Sequence, residues 1–199
     1  GTLLYQALRY FPKTFKQRRP DGNGGHIWSI KDTSRVLFQL PNVLQAIEKD
    51  ETIFLVEGEK DCLNLGMHNI TATTLAGGAS QPWLPEYSRT LKNARVAIIP
   101  DNDRAGKLHA TKTANMLYGW VSSIKMLEEK HLYDLNSNDI SDWLQSHGVA
   151  ELHRIVQSTD EFIPEGAITR EEFNEVKSHL VFLYNKLKQR YSDRGVGGK

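Results

Sequence analysis

The sequence has little cysteine: Cys62 is the single one among 199 residues. One cysteine cannot form an internal disulfide or build a cysteine-rich zinc ribbon within these residues. Cys62 falls in a segment with helical character, which favours a place in the core over a role as a nucleophile. The chemistry of the protein must therefore come from other side chains.

Long apolar runs are also missing, since no stretch approaches the ~20 residues that a membrane helix needs. The first residues lack the pattern of a signal peptide. Hydrophobic residues at 39% and charged residues at 25% are typical of a soluble globular protein. We therefore expect a cytoplasmic protein that has no membrane partner.

The sequence also has no large excess of positive or negative charge, since its formal net charge is +1. Residues 1–35 nevertheless carry seven Arg or Lys against two Asp. A basic patch of this kind suits a nucleic-acid backbone, and a solvated hairpin surface is the alternative. The candidate nucleic-acid or nucleotide contacts here are Lys13, Lys16, Arg18 and Arg19. Trp28 in the same segment is a candidate for base stacking, although a core position is commoner for tryptophan.

The order of predicted elements indicates an α/β protein. Residues 1–50 read as a small antiparallel β-hairpin subdomain with a connecting helix, and residues 151–199 as a helical C-terminal extension. Between them, residues 51–150 alternate strands and helices, which implies a compact, mainly parallel four-stranded sheet with flanking helices. The predicted strands are 52–56, 70–75, 96–99 and 121–127, and the predicted helices between them are 60–66, 82–92 and 104–118.

Acidic residues follow two of these strands at their carboxyl ends, where open α/β sheets bind ligands. Glu57 comes after the first strand, and Asp101 and Asp103 come after the third. Carboxylate oxygens are the ligands that Mg²⁺ prefers, and Mn²⁺ is the usual substitute. Because like charges repel, we expect at least one carboxyl pKa to be raised without metal. Glu57 is either a ligand of a second ion or a general base.

Basic residues near these acids are candidates for phosphate contacts: Lys60 beside Glu57, and Arg104 and Lys107 at the start of a helix, whose amino end favours anions. The alternative is purely structural. In that interpretation Asp101 and Asp103 cap the helix, and Glu57 forms a salt bridge with Lys60 or Arg104.

Three segments together resemble the TOPRIM domain: 56–61 (VEGEKD), 77–78 (GG) and 101–106 (DNDRAG). The likeness is to the primase branch, particularly phage and plasmid primases or primase-helicases, which are related to bacterial replicative primases. Segment 139–144 resembles the acidic motif after the fourth strand, and segment 17–25 the hairpin that precedes the fold. The resemblance covers residues 1 to about 150 and implies a Rossmann-like TOPRIM sheet.

The resemblance implies roles for individual residues. Glu57 matches a general base for nucleotidyl transfer, Asp101 and Asp103 the magnesium pair, and Asp139 a further metal-associated acid. Asn102 departs from the glycine that is usual in replicative primases. The matched structural positions around the site are Gly58, Asp61, Gly77, Gly78, Gly106 and Asp142.

A primase-like nucleotidyltransferase that makes RNA primers for DNA replication is the implied activity. Its partners would be a single-stranded DNA template, ribonucleoside triphosphates and a replicative helicase. A metal-dependent nuclease of the same fold, or a catalytically idle DNA-binding or adaptor module, remains as an alternative.

A long helix is predicted after the TOPRIM segment, because Thr169 and Glu172 have the spacing of a capping box. Apolar residues recur on one face of this helix at three- and four-residue steps. These residues are Phe173, Val176, Leu180, Leu183, Leu187 and Tyr191. The sequence does not say what the stripe packs against.

Overall fold

The computed structural model describes residues 2–12, 14–78, 81–127, 132 and 137–194. Contacts separate one compact unit that ends at Phe162 from a second that begins at Ile163. The functional boundaries predicted at residues 50 and 150 remain predictions. Within the described part of the chain, no helix has the length and apolar character needed to cross a membrane.

The first unit begins with a three-stranded antiparallel sheet in the order β1-β2-β3. Its strands are β1 (Gln6–Tyr10), β2 (Thr14–Pro20) and β3 (His26–Ile27). A turn at Phe11 and Pro12 follows β1. Pro12 has no N–H to donate to a ladder, which favours that interruption. Lys16, Arg18 and Arg19 therefore lie within a paired strand.

The second sheet has four parallel strands in the order β5-β4-β6-β7. They are β4 (Thr52–Leu55), β5 (Ala72–Thr73), β6 (Arg95–Ile98) and β7 (Ser123–Met126). The predicted α/β class with a small antiparallel subdomain is confirmed. Strand β5 is much shorter than the predicted 70–75, because only Ala72 and Thr73 pair with β4.

The described residues of this unit form six helices: α1 (Leu40–Glu48), α2 (Glu59–Gly66), α3 (Pro85–Thr90), α4 (Arg104–Leu117), α5 (Ile140–Ser146) and α6 (Val149–Ser158). Successive strand residues point to opposite faces of a sheet. Ile53 and Leu55 accordingly join a core with residues of α1, α3 and α4. Phe54 and Val56 join a second core with residues of α2, α5 and α6. The sheet is thus covered by helices on both faces.

The second unit consists of helix α7 (Arg170–Arg194) and the segment before it. Its predicted capping box is confirmed. Thr169 N–H donates to Glu172 Oε2 at 2.6 Å, and Glu172 N–H donates to Thr169 Oγ1 at 3.1 Å. The predicted apolar stripe is exposed from Phe173 to Leu187. The side chain of Tyr191 lies outside the described residues.

Burial of the central strand predicts a large cost for truncating it. Phe54 is 1% exposed, whereas Leu63 on α2 is 53% exposed. We expect Phe54→Ala to lower the free energy of unfolding by about 3–5 kcal/mol, because it removes apolar contacts and leaves a cavity. Leu63→Ala should change it by less than about 0.5 kcal/mol. Urea unfolding checks both, and equal losses would contradict the described packing.

Candidate functional site

The pairing of β4 with β6 brings the first two predicted acids together. Leu55 lies opposite Ile98 in the parallel register, so the chain reaches Glu57 and Asp101 at the same edge of the sheet. Glu57 Oε1 accepts a hydrogen bond from the Asp101 backbone N–H at 3.1 Å. The side chain of Glu57 is therefore held against the turn that carries Asp101 and Asp103.

Gly106 allows helix α4 to begin directly beside these acids. A Cβ atom at this position would lie 2.4 Å from Glu57 Oε1 and 2.7 Å from the Asp101 carbonyl oxygen. A side chain at position 106 would overlap both neighbours, so it would displace the Glu57 carboxylate or the turn that carries Asp101. The glycine that the resemblance marks as structural thus has a steric cause.

Asp103 is the N-cap of α4. Its Oδ1 accepts a hydrogen bond from Gly106 N–H at 2.6 Å. The structural alternative considered from the sequence is therefore correct for Asp103, whereas Asp101 does not occupy the cap position. Capping uses one carboxylate oxygen and places Asp103 at the positive end of the helix dipole. Arg104 and Lys107 lie in the first turn of the same helix.

Asp139 caps α5 in the same manner, with its Oδ1 accepting from Asp142 N–H at 2.8 Å. Its other oxygen, Oδ2, is 3.1 Å from Lys60 Nζ. Lys60 pairs with Asp139, so the expected alternative salt bridge between Lys60 and Glu57 is wrong.

Asp61 is the buried member of this acidic group, and it joins α2 to α5. Its Oδ1 accepts a short hydrogen bond from Ser141 Oγ. Asn64 Nδ2 in turn donates to Ser141 Oγ at 2.7 Å. Sequence reasoning missed Asn64 and Ser141, since a contact between residues about eighty positions apart leaves no local signal.

Asn102 has a role that the sequence did not indicate. Its backbone does not adopt the left-handed conformation that often selects asparagine in a turn. Its side-chain Nδ2 instead donates to the Ser137 carbonyl at 2.9 Å, and its N–H donates to the Asn138 carbonyl at 2.9 Å. Asn102 therefore ties the turn with Asp101 and Asp103 to the segment before Asp139. Glycine could not supply the side-chain bond.

The electrostatics of this edge disfavour full ionisation. Burial, together with the nearby Glu57 and Asp61 carboxylates, raises the pKa of Asp101 to about 7. Burial also raises the pKa of Glu57, although the Asp101 N–H opposes the shift. The pKa of Asp61 is raised by burial against the bond from Ser141. The expected rise of at least one carboxyl pKa is thus found in three.

The donor set suits a hard cation, because carboxylate oxygens are the ligands that Mg²⁺ prefers. Asp101, Asp103, Glu57 and Asp139 lie at one edge of the sheet. Among the described residues, however, no three or more His, Cys, Asp or Glu side chains already form a metal-binding group. Oxygens of Glu57, Asp103 and Asp139 accept from backbone N–H groups, and Asp139 also pairs with Lys60. The residue types fit a magnesium ion chemically, although their side chains do not form a ligand cage in this arrangement.

A glycine loop after β5 connects this edge to the N-terminal sheet. Gly77 and Gly78 have φ values of +91° and +80°. A Cβ on Gly78 would lie 3.3 Å from the Glu57 carbonyl oxygen, and one on Gly77 would lie 3.2 Å from Gln17 Nε2. The loop therefore packs between the Glu57 backbone and strand β2.

The structure does not gather every predicted basic residue at the acids. Lys60, Arg104 and Lys107 lie beside them, whereas Lys16 and Arg18 lie on the N-terminal sheet next to Trp28. Arg19 Nε is buried without a hydrogen-bond partner among the described residues, which leaves a donor for an anion. Lys13 lies outside the described residues.

Comparison with known proteins agrees with this architecture. The chain is 28% identical over 142 residues to the DNA primase DnaG of Thermofilum pendens, covering 71% of this chain and 30% of that protein. It superposes on the zinc-binding and RNA polymerase domains of Aquifex aeolicus primase with a TM-score of 0.53 and 22% identity, covering 74% and 37% of the two chains. No protein-family profile matches the chain.

A structure of the DnaG catalytic core gives the same TM-score, 0.53, at 15% identity, with 80% of this chain and 53% of that chain covered. The chain thus spans about a third to a half of the length of the proteins that it matches. It has the fold of primase catalytic cores. The predicted resemblance is confirmed.

The contacts of Gly106 predict a steric penalty for any side chain there. We expect Gly106→Ala to lower the free energy of unfolding by about 1–3 kcal/mol, since the added methyl group overlaps Glu57 and the Asp101 backbone. Gly66→Ala is the matched control on α2, where a Cβ would meet nothing within 4 Å. That substitution should be neutral or stabilising by up to about 1 kcal/mol. Similar effects at both positions would contradict the close approach of α4.

The raised pKa of Asp101 predicts how stability changes with pH in EDTA. Between its ordinary value of 3.8 and its folded value of about 7, the folded state holds a proton that the unfolded state has released. The free energy of unfolding should therefore fall as pH rises across that window. Asp101→Asn should flatten this fall, because the amide cannot ionise.

Urea unfolding at pH 5 and pH 8 measures this difference. The exposed Asp50→Asn variant is the control, and it should retain the wild-type pH dependence. An Asp101→Asn variant with unchanged pH dependence would show that Asp101 is not the group responsible.

Proposed function

We propose that this chain is the catalytic core of a DNA primase, which joins ribonucleotides on a single-stranded DNA template in the presence of Mg²⁺ or Mn²⁺. The observation that carries the proposal is the convergence of Glu57 on the Asp101–Asp103 turn. It occurs at the carboxyl edge of a sheet with the fold of primase cores. The primase relative supports the reaction type.

Asp101 and Asp103 would hold the metal, with Asp139 as a further ligand. Mg²⁺ bound there would supply positive charge to the attacking and leaving oxygens of phosphoryl transfer. The raised pKa of Asp101 supports this assignment, since a buried acidic group with little compensating charge favours a cation. In the metal-free arrangement Lys60 neutralises Asp139 in part.

Glu57 is the proposed general base for the 3′-hydroxyl that attacks the incoming nucleotide. Burial raises its pKa, which brings the carboxylate closer to the value at which a base works best near neutral pH. The Asp101 N–H engages one of its oxygens and fixes the orientation of the group. The second oxygen would accept the proton.

Basic residues around the acids would contact the triphosphate and the DNA. Arg104 and Lys107 stand at the amino end of α4, where the helix dipole favours anions. Lys60 lies beside Asp139 at the start of α2, and Arg19 on the N-terminal sheet is a further candidate contact for the DNA. A replicative helicase, in the same polypeptide or as a separate partner, would deliver unwound template.

Primer synthesis tests the proposal. The chain is supplied with single-stranded DNA, ribonucleoside triphosphates, Mn²⁺ and a helicase or zinc-binding module from a related system. We expect Glu57→Gln and Asp101→Asn to reduce labelled oligoribonucleotide at least about a hundredfold, because each removes a charge needed in the transition state. The exposed Glu86→Gln variant is the control and should retain activity.

Absence of primers with the wild-type chain under all these conditions would contradict primase activity. Cleavage of labelled DNA in Mn²⁺ without nucleotides, lost in Asp101→Asn, would instead identify a nuclease that uses water as the nucleophile. DNA binding without Mn²⁺ binding in calorimetry would identify an idle DNA-binding module.

A further inference from the structure

One face of the N-terminal sheet carries aromatic and basic side chains together. In the antiparallel register Arg18 lies opposite Gln6, and its Nε donates to Gln6 Oε1 at 2.8 Å. Arg19 pairs with Ile27, so Trp28 follows beside Arg18 at the end of β3. Side chains two residues apart share a face of a strand, which adds Lys16 and Tyr10. We call Tyr10, Lys16, Arg18 and Trp28 the aromatic-basic face.

The side chains of this face contact one another directly. Lys16 Nζ is 5.5 Å from the centre of the Tyr10 ring and 5.9 Å from that of Trp28. Arg18 Cζ is 5.6 Å from the Trp28 ring. Both cations are thus held beside the rings by cation–π attraction. Trp28 nevertheless keeps 57% of its surface exposed, and Tyr10 keeps 40%.

The exposed Trp28 ring, flanked by two cations, offers a flat apolar surface to a ligand. The sign of the surrounding charge restricts which ligand fits. Residues 6–10, 14–20 and 26–28 contain no Asp or Glu. Asp21, in the following turn, is engaged by the N–H groups of Asn23 and Gly25. The face therefore suits a polyanion that also presents flat apolar groups.

We propose that the aromatic-basic face binds single-stranded DNA, with an unpaired base stacked on Trp28 and the flanking phosphates held by Lys16 and Arg18. Bases in a duplex are stacked on one another inside the helix, so a protruding ring selects for unpaired strands. Such stacking tolerates any base, because every base has a π-face. This inference rests on the proposed function, in which the bound strand is the template.

The aromatic-basic face and the loop beside the acids lie on opposite sides of the N-terminal sheet. Gln17, the neighbour of Lys16 and Arg18 in β2, points to the opposite side of the sheet and packs against Gly77. Gly78 in turn packs against the Glu57 backbone. DNA bound to the aromatic-basic face would therefore be separated from the loop beside the acids by the thickness of one β-sheet.

Binding of fluorescein-labelled oligothymidylate to the full chain, followed by anisotropy without metal, tests the inference. Trp28→Ala should weaken binding about tenfold or more, as loss of one stacked base does. Trp28→Phe should restore affinity to within about threefold of the wild type. Lys16→Ala should reduce the slope of log affinity against log salt by about 0.7, as loss of one phosphate contact does.

Trp120→Ala is the matched control, since Trp120 is 41% exposed but lies after α4, away from this face. It should bind like the wild type. Binding to a blunt duplex of the same length should not change in Trp28→Ala. The inference would be overturned if Trp28→Ala and Trp120→Ala bound oligothymidylate equally well. It would also be overturned if Trp28→Ala lost as much affinity for the duplex as for oligothymidylate.

Intrinsic fluorescence keeps the test decisive if Trp28→Ala does not fold. Oligothymidylate should quench part of the tryptophan emission in the wild type, and this quenching should vanish in Trp28→Phe. Quenching that persists in Trp28→Phe would contradict stacking. The competing ligands are oligouridylate and an unrelated protein partner. DNA affinity that is unchanged by Trp28→Ala would favour the protein partner.

Failure of this inference can be told from failure of the proposed function. Asp101→Asn should keep the wild-type affinity for oligothymidylate and lose Mn²⁺ binding in calorimetry. Trp28→Ala should show the reverse. If Asp101→Asn loses Mn²⁺ binding but Trp28→Ala leaves DNA affinity unchanged, the proposal for the aromatic-basic face is refuted. The proposal for the acidic site is then still supported.

Discussion

Repulsion between carboxylates at one edge of the parallel sheet is the constraint on which the rest of the site depends. The pairing of β4 with β6 brings Glu57 to the Asp101 turn, and burial raises the pKa of Asp101 to about 7. Neighbouring groups relieve this repulsion in part. The Asp101 N–H binds Glu57, the Gly106 N–H binds Asp103, and Lys60 pairs with Asp139. A divalent cation would reduce this repulsion more completely, which is why we propose a metal site at this edge.

Hydrogen bonds outside the acids hold this arrangement in register. Asp61, Ser141 and Asn64 link α2 to α5, and Asp139 sits at the start of α5. Asn102 links the Asp101–Asp103 turn to the segment that leads into α5. The two acidic segments are therefore tied to each other independently of any ion. The relative position of these segments is set by the fold.

Sequence patterns predicted the parts of the fold that strong local signals determine. The apolar runs before Glu57 and Asp101 predicted strands β4 and β6. Because open α/β sheets bind ligands at the carboxyl ends of their strands, the acids that follow these strands were expected to share a site. The two-residue strand β5 was overestimated, because pairing with β4 rather than composition sets its length. The Lys60–Asp139 pair and the role of Asn102 were not predicted. Both depend on contacts between distant segments that only the folded chain brings together.

The location of a bound ion tests the central claim most directly. Crystals of the protein grown or soaked with Mn²⁺ near pH 8, above the pKa of Asp101, would be measured at the manganese absorption edge. The account predicts an anomalous peak among the carboxylates of Glu57, Asp101 and Asp103. Anomalous peaks only elsewhere, or none at Mn²⁺ concentrations that support primer synthesis, would contradict it.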